Sequence, residues 1–194
     1  MTRICFPHCR LSEKQRQLSP RYLAILTVLS MVATVVLMLF MSNIDSTLTS
    51  SEPGYGIIDF EFAFTTEKAS QILESWEPHL HEARKSLYID FGYLVAYALF
   101  LSSLTTLVTF SLVNTPQRIG RAVAVMPWMA ALLDSIENAC LLYVLSVKIS
   151  GAAVLLAGAC ASVKFLLVGI VFAFLIVGGV YVLTKVGRAR LKSE

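Results

Sequence analysis

The sequence predicts an all-α polytopic membrane protein, a four-transmembrane-helix bundle with an amphipathic helix in the first outer loop. Composition is the first reason: 56% of the 194 residues are hydrophobic and only 15% are charged, whereas an ordinary soluble domain is about 25% charged. The second reason is that four apolar runs each reach the roughly 20 residues that a bilayer-spanning helix needs. The third is a helical pattern within the one long polar segment between those runs.

The four apolar runs set the domain boundaries. They lie at about 22–42, 87–113, 122–147 and 152–184. With the outer segment 43–86 they form one membrane domain, 22–184, between basic tails at 1–21 and 185–194. The first run is longer than the roughly 7–15 apolar residues of a signal peptide, and no A-x-A-like cleavage site follows it. It is therefore predicted to be a retained anchor.

The distribution of charge predicts the orientation. The segment 43–86 contains eight acidic and three basic residues, a net charge of −5, while both tails and the loop with Arg118 and Arg121 are basic. By the positive-inside rule both termini are cytoplasmic and 43–86 lies outside. The expected location is the plasma membrane, which is the cell inner membrane in a bacterium. The basic residues flank spans and have no patterned aromatic surface between them, so nucleic acid is excluded as a partner.

The outer segment has two predicted parts. Residues 57–64 alternate apolar with acidic side chains, which is typical of a short strand or an interfacial segment. A helix follows, capped by Thr65 or Thr66 and ended near Pro78. Such a helix lies on the membrane surface or over the bundle. Its apolar face consists of Ala69, Ile72, Leu73 and Trp76.

The third run contains polar residues in its middle. Asp134, Glu137 and Asn138 share one face of a helix with Leu141. A carboxylate at mid-membrane costs roughly 2.5–3.5 kcal/mol on insertion scales, so these groups need partners, water or a proton. Lys164 in the fourth run lies as far from the connecting turn as Asp134 does, about 20 Å at 1.5 Å per residue. This equal depth predicts an ion pair between Asp134 and Lys164.

The second run adds three polar residues on one helical face near the outer interface, and Glu137 is expected to lie opposite them. The predicted function is an outer-facing pocket that binds or conducts a small solute, a cation or a proton. The alternative is an accessory or assembly subunit of a membrane complex, or a homo-oligomer, in which the same residues only hold the helices together. The candidate pocket consists of Asp90, Tyr93, Tyr97, Asp134, Glu137, Asn138 and Lys164.

No catalytic residue, metal site or cofactor is predicted, which favours a protein without enzymatic activity. The sequence has no G-x-S-x-G nucleophile elbow and no P-loop. The histidines His8, His79 and His81 all lie outside the spans, which excludes a bis-histidine haem within the bundle. In the tail, Cys5, His8 and Cys9 leave zinc binding, acylation or no modification open. Three ligands at this spacing disfavour a structural zinc ion.

Two stretches carry a resemblance to a known group of proteins. Asp90 lies shortly before YLVAYALF, and LLDSIENACLL follows in the third span. This combination resembles a signature of uncharacterised four-span bacterial membrane proteins over about residues 57–176, and the resemblance implies no activity. Claudins and tetraspanins also have four spans with both ends inside. Their loop cysteines are missing from residues 43–86, so both families are excluded.

Overall fold

The computed structural model describes residues 20–50 and 52–191, except for the side chains at 183 and 185–191. Outside the described residues lie most of the predicted tail 1–21, with Cys5, His8 and Cys9, and the side chains of the predicted tail 185–194.

All secondary structure in the described part of the chain is helical. Four helical stretches are long and apolar enough to span a membrane: α1, α4 with the turn before it, α5 together with α6, and α7 as far as Val182. The predicted all-α four-helix bundle is therefore confirmed, and the chain is a multi-pass membrane protein. The elements are α1 (Pro20–Leu48), α2 (Ile57–Glu61), α3 (Thr66–Ser75), a 3₁₀ turn (Glu77–His79), α4 (Leu80–Phe110), α5 (Asn114–Val123), α6 (Met126–Ser146) and α7 (Gly151–Leu191).

The third span differs from its prediction as one continuous run at 122–147. Helix α5 ends at Val123 and α6 begins at Met126, so a turn of two residues interrupts the span. Pro127 lies in the first turn of α6, where its missing N–H removes no helical hydrogen bond. The proline therefore starts α6 and does not kink it.

Helix α4 is central to the bundle. It packs along α1 on one side and against α6 on the other, it also contacts α7, and α6 and α7 pack together as a hairpin. Ala157 and Ala161 of α7 are fully buried, because small side chains let helix backbones approach closely in a membrane. The Thr27 hydroxyl donates to the Leu23 carbonyl at 2.8 Å and forms a hydrogen bond with the Ser103 hydroxyl of α4 at 2.9 Å.

Residues 52–79, which we call the cap, cover one end of the bundle, the capped end. The Thr65 hydroxyl accepts a hydrogen bond from the Lys68 N–H and so caps α3. The apolar face of α3 packs with Leu141 of α6 and Val154 of α7 in one core. The amphipathic helix predicted for the first loop is present, and it lies over the bundle. Fully buried residues of that face are Ala69, Ile72 and Trp76.

Of the two alternatives predicted for 57–64, the strand is wrong, because residues 57–61 form the short helix α2, and the interfacial segment stays a prediction. The Asp45 carboxylate at the end of α1 accepts a hydrogen bond from the Ile57 N–H, and Asp59 accepts one from the Gly56 N–H, both at 2.8 Å. These bonds satisfy N–H groups that a helix start leaves free. A strand would need a neighbouring strand for its N–H groups, and the described residues contain none.

Candidate functional site

A buried lysine lies at the centre of the capped half of the bundle. Lys164 of α7 is only 7% exposed. Its Nζ donates hydrogen bonds to Asp134 Oδ1 at 2.6 Å and to Glu137 Oε1 at 2.9 Å. The same atom lies 3.3 Å from Glu61 Oε2. Three carboxylates therefore surround one ammonium group, and the predicted Asp134–Lys164 ion pair is among these contacts.

Helix geometry explains why α6 supplies two of these carboxylates. Asp134 and Glu137 are three residues apart, so they lie one above the other on the same face. That face is directed into the bundle, and Glu137 is 0% exposed. The sequence placed Glu137 opposite the polar residues of the second span, whereas the structure pairs it with Lys164. An ammonium group has three N–H donors, so one lysine serves both acids.

A second polar pair lies beside the lysine. Asn138 of α6 donates through Nδ2 to Asp90 Oδ2 of α4 at 2.5 Å. The Tyr97 hydroxyl donates to Asp134 Oδ2 at 3.1 Å, which links α4 to the lysine network. Tyr93 is half-buried and contacts this group through its ring, whose centroid lies 5.4 Å from that of Tyr97. The structure thus brings all seven predicted residues together.

Sequence reasoning missed Glu61, which enters the site from the cap. Its side chain is buried against Lys164 although α2 lies outside the spans. Neighbouring rings hold the segment in place: Phe62 stacks on Phe165 of α7 with centroids 5.6 Å apart, and Phe64 covers Gly158, where a Cβ would lie 2.7 Å from ring atoms. A signal was present in the sequence, since Glu61 is a lone charge between phenylalanines.

The charges of this site do not balance when every group is ionised. Glu61, Asp90, Asp134 and Glu137 bring four carboxyl groups to one ammonium, which gives a net charge of −3. We call these five groups, with Asn138 and Tyr97, the acidic cluster. Such a charge without solvent costs far more than a neutral form, and buried groups respond by neutralising. The acidic cluster therefore needs protons or another cation.

Two carboxylate oxygens indicate where a proton fits. Glu61 Oε2 and Glu137 Oε2 are buried and have no hydrogen-bond partner among the described residues. Both carboxyl groups contact the same ammonium group, Lys164 Nζ. A proton on either oxygen would turn an unpaired acceptor into a hydrogen-bond donor. Burial raises the pKa of the Glu61 carboxyl above its ordinary value, the Lys164 charge opposes this rise, and the Asp134 charge adds to it.

An apolar layer separates the acidic cluster from the uncapped end. In α6 it begins about one turn beyond Asp134, at Ala130 and Ala131, and it is built from α4, α5, α6 and α7. Charged side chains among the buried described residues are confined to the capped half. The buried residues of the layer are Leu94, Ala98, Leu101, Val123, Ala130, Ala131 and Val171, and Tyr97 of the acidic cluster packs against them.

Two other features are relevant to what the site can bind. The described residues do not arrange three His, Cys, Asp or Glu side chains as ligands for a metal ion.

A groove of about 380 Å³ runs along the surface between α6 and α7, outside the acidic cluster. It is mostly apolar and faces the membrane. Its lining consists of Ser135, Ile136, Ala139, Cys140, Tyr143 and Ala153.

Comparisons of the chain with protein-family models, with curated proteins and with solved structures find no match in any of the three. The similarity to four-span bacterial proteins therefore stays a prediction, and the acidic cluster is interpreted from its own geometry.

Proposed function

We propose that this membrane protein binds a proton at the acidic cluster and couples its uptake and release to a small solute on the outer side of the plasma membrane. The observation that supports this function best is the burial of four carboxyl groups with one ammonium group inside the bundle. Three of these carboxyl groups contact Lys164, and the fourth, Asp90, bonds to Asn138 beside them. Intramembrane carboxyl groups are typical of proton relays and of coupling sites in transporters.

A proton suits the acidic cluster better than a metal ion does. A calcium or magnesium ion requires about six oxygen ligands, and the described residues do not arrange three His, Cys, Asp or Glu side chains so that they could hold a metal ion. The point at which three carboxylates converge is taken by the Lys164 ammonium. A proton requires only two oxygens. Glu61 Oε2 and Glu137 Oε2 are buried without a hydrogen-bond partner among the described residues, and both carboxyl groups contact Lys164.

Access from the capped end is the shorter route for that proton. Glu61 belongs to the cap, so displacement of α2 would uncover Lys164 and Glu137. From the uncapped end a proton would have to cross the apolar layer. The excess of basic residues in the tails and in the loop with Arg118 and Arg121 supports an outer location for the capped end.

Infrared titration of the purified protein in lipid nanodiscs tests the proton site. We expect the wild type to retain a protonated-carboxyl band near pH 7, and we expect Glu137→Gln and Glu61→Gln each to weaken it. Glu74→Gln is the matched control, because Glu74 is exposed on α3 and should leave the band unchanged. A wild type without this band between pH 5 and pH 8 would contradict the proposal.

The orientation is tested separately by cysteine labelling. Ser50 is exposed at the capped end, so Ser50→Cys should react with a membrane-impermeant thiol reagent on intact cells. The wild type is the control, since its cysteines are expected in the cytoplasmic tail and within spans. Labelling of Ser50→Cys only after permeabilisation would place the capped end in the cytoplasm.

The accessory-subunit alternative has its own support in the groove between α6 and α7, because a mostly apolar surface depression in the membrane fits a neighbouring helix. In that case neutral substitutions in the acidic cluster would change stability without changing any proton binding. Co-purification of the wild type with one fixed membrane partner, together with an absent carboxyl band, would favour this alternative.

A further inference from the structure

Glu61 differs from the other carboxyl groups of the acidic cluster in how it is held. Asp90, Asp134 and Glu137 are on span helices, whereas Glu61 is on a helix of five residues in the cap. Its contact with Lys164 Nζ, at 3.3 Å, is longer than the contacts of Asp134 and Glu137, at 2.6 and 2.9 Å. It is therefore the one carboxylate that can leave the lysine without the movement of a span.

The backbone before and after α2 has positive φ angles, which is compatible with movement of Glu61 away from Lys164. Gly54 before α2 has φ 76°, a conformation that glycine adopts without steric cost. Phe64 after α2 has φ 52°, which is unfavourable for a phenylalanine and persists only while surrounding packing maintains it. That packing is the contact of the Phe64 ring with Gly158. Release of the ring from Gly158 would relieve the strain.

Departure of Glu61 would leave a position with defined chemistry. A space the size of its side chain, about that of propionate, would open beside the Lys164 ammonium and the Phe165 ring, which lie 5.2 Å apart. A small monocarboxylate would replace one carboxylate by another, so the charge of the acidic cluster would not change. A dicarboxylate or a phosphate would add negative charge to a cluster that already has an excess. An ammonium ligand in this position would place a second cation directly against the Lys164 ammonium.

We infer that Glu61 occupies, as part of the chain itself, the binding position of a small monocarboxylate ligand, which pairs with Lys164 when the cap moves away. The inference rests on the proposed function, because it identifies the small solute of that same site. The tethered carboxylate competes with the free one at the high effective concentration of an intramolecular group. A free carboxylate therefore binds more tightly to a chain that lacks Glu61.

Chemical rescue tests this inference on the full chain in nanodiscs, with sodium propionate as the probe. We expect Glu61→Ala to unfold at a lower temperature than the wild type, and we expect propionate to restore the midpoint in a saturable manner. The wild type should respond only at more than about ten-fold higher propionate. Sodium chloride and propionamide control for ionic strength and for shape. Glu74→Ala, on the exposed side of α3, and the double variant Glu61→Ala/Lys164→Met should not respond.

Equal effects of propionate and propionamide, or no saturable response of Glu61→Ala, would overturn the inference. Should Glu61→Ala fail to fold, the decisive measurement is the reaction of Phe62→Cys with an impermeant thiol reagent. Propionate should accelerate this reaction by opening the cap, and an unchanged rate would overturn the inference. Rescue by propionate without a protonated-carboxyl band would support the monocarboxylate position and contradict the proton site. A protonated-carboxyl band without rescue would support the proton site and contradict the monocarboxylate position.

Discussion

The capped and uncapped halves of the bundle are built from the same three helices, α4, α6 and α7, but they bury different chemistry. The capped half contains three carboxyl groups around Lys164 and a fourth, that of Asp90, bonded to Asn138. The uncapped half contains the apolar layer and neutral hydroxyl groups. Thr109 donates to the Thr105 carbonyl at 2.7 Å, and Ser102 donates to the Ala124 carbonyl at 2.8 Å. Since the uncapped half packs without buried charge, these helices do not need charge to associate. The acidic cluster therefore reduces stability relative to an apolar core, which favours a functional role.

Among the substitutions that compare the two halves, removal of Lys164 should change the free energy of unfolding most. Lys164→Met leaves several buried carboxylates without their cation, so we expect a loss of about 3–5 kcal/mol in the free energy of unfolding. Thermal and denaturant unfolding in nanodiscs would measure it. Lys148→Met, at the exposed turn between α6 and α7, is the control and should change little. The double variant Asp134→Asn/Lys164→Met should recover much of the loss, and strict additivity would show that the pair contributes nothing.

The uncapped half should be most sensitive to added volume. A Cβ at Gly120 of α5 would lie 2.2 Å from Thr109 Oγ1 of α4 and 2.8 Å from the Phe174 ring of α7. We therefore expect Gly120→Ala to reduce the free energy of unfolding by about 1–3 kcal/mol. Gly169→Ala is the matched control, because a Cβ there meets no atom within 4 Å. An equal loss in both variants would indicate a general intolerance of alanine and not close packing around Gly120.

The stability of the capped half should depend on pH. Each unit by which the pKa of a carboxyl group differs between the folded and the unfolded protein changes the free energy of unfolding by about 1.4 kcal/mol. Burial raises the pKa of Glu61 above the ordinary value of 4.5, so the folded protein holds this proton more tightly than the unfolded chain does. The contribution to stability is therefore complete below pH 4.5 and is lost as the pH rises through the folded pKa. Glu61→Gln cannot ionise, so its unfolding midpoint should fall less than that of the wild type between pH 4 and pH 8. Parallel curves would contradict the raised pKa.

The smallest effect is expected at Thr105, whose buried hydroxyl has no hydrogen-bond partner among the described residues. Thr105→Val removes this hydroxyl at nearly constant shape, so the free energy of unfolding should stay the same or rise by up to about 1 kcal/mol. Thr27→Val also removes a buried hydroxyl, but it breaks the bond to Ser103 and should lower the free energy by about 1 kcal/mol. A loss in both would show that Thr105 has a partner in the membrane.

The spans and the core of the acidic cluster were predictable because they depend on short-range rules. Hydropathy along the chain identifies the spans, helical spacing places Asp134 and Glu137 on one face, and equal distance from the turn brings Lys164 to the depth of Asp134. The contact with Glu61 was not predictable in this way. A helix of five residues has too few turns for a periodic signal, and α2 forms where it does partly because Asp45, twelve residues earlier, bonds to Ile57.

The division of the third span was hidden for a related reason. Residues 122–132 are nearly all apolar, so hydropathy is continuous across the boundary between α5 and α6. Only Pro127 indicates the boundary, and a proline in an apolar run is equally compatible with a kink. The packing of α5 against α4 and α7 depends on distant parts of the chain.

The position of Lys164 in the sequence has a consequence for biosynthesis. It follows all four carboxyl groups of the acidic cluster, and it follows Asp134 by 30 residues. At 5–20 residues per second, a ribosome takes about 2–6 s to travel from the one codon to the other. During that interval α6 has been synthesised but Lys164 has not. Asp134 and Glu137 must therefore stay protonated, or α6 must remain at the insertion machinery until α7 has been synthesised. The hairpin of α6 and α7 is therefore expected to enter the membrane as a unit, and a chain truncated before Lys164 should leave α6 poorly inserted.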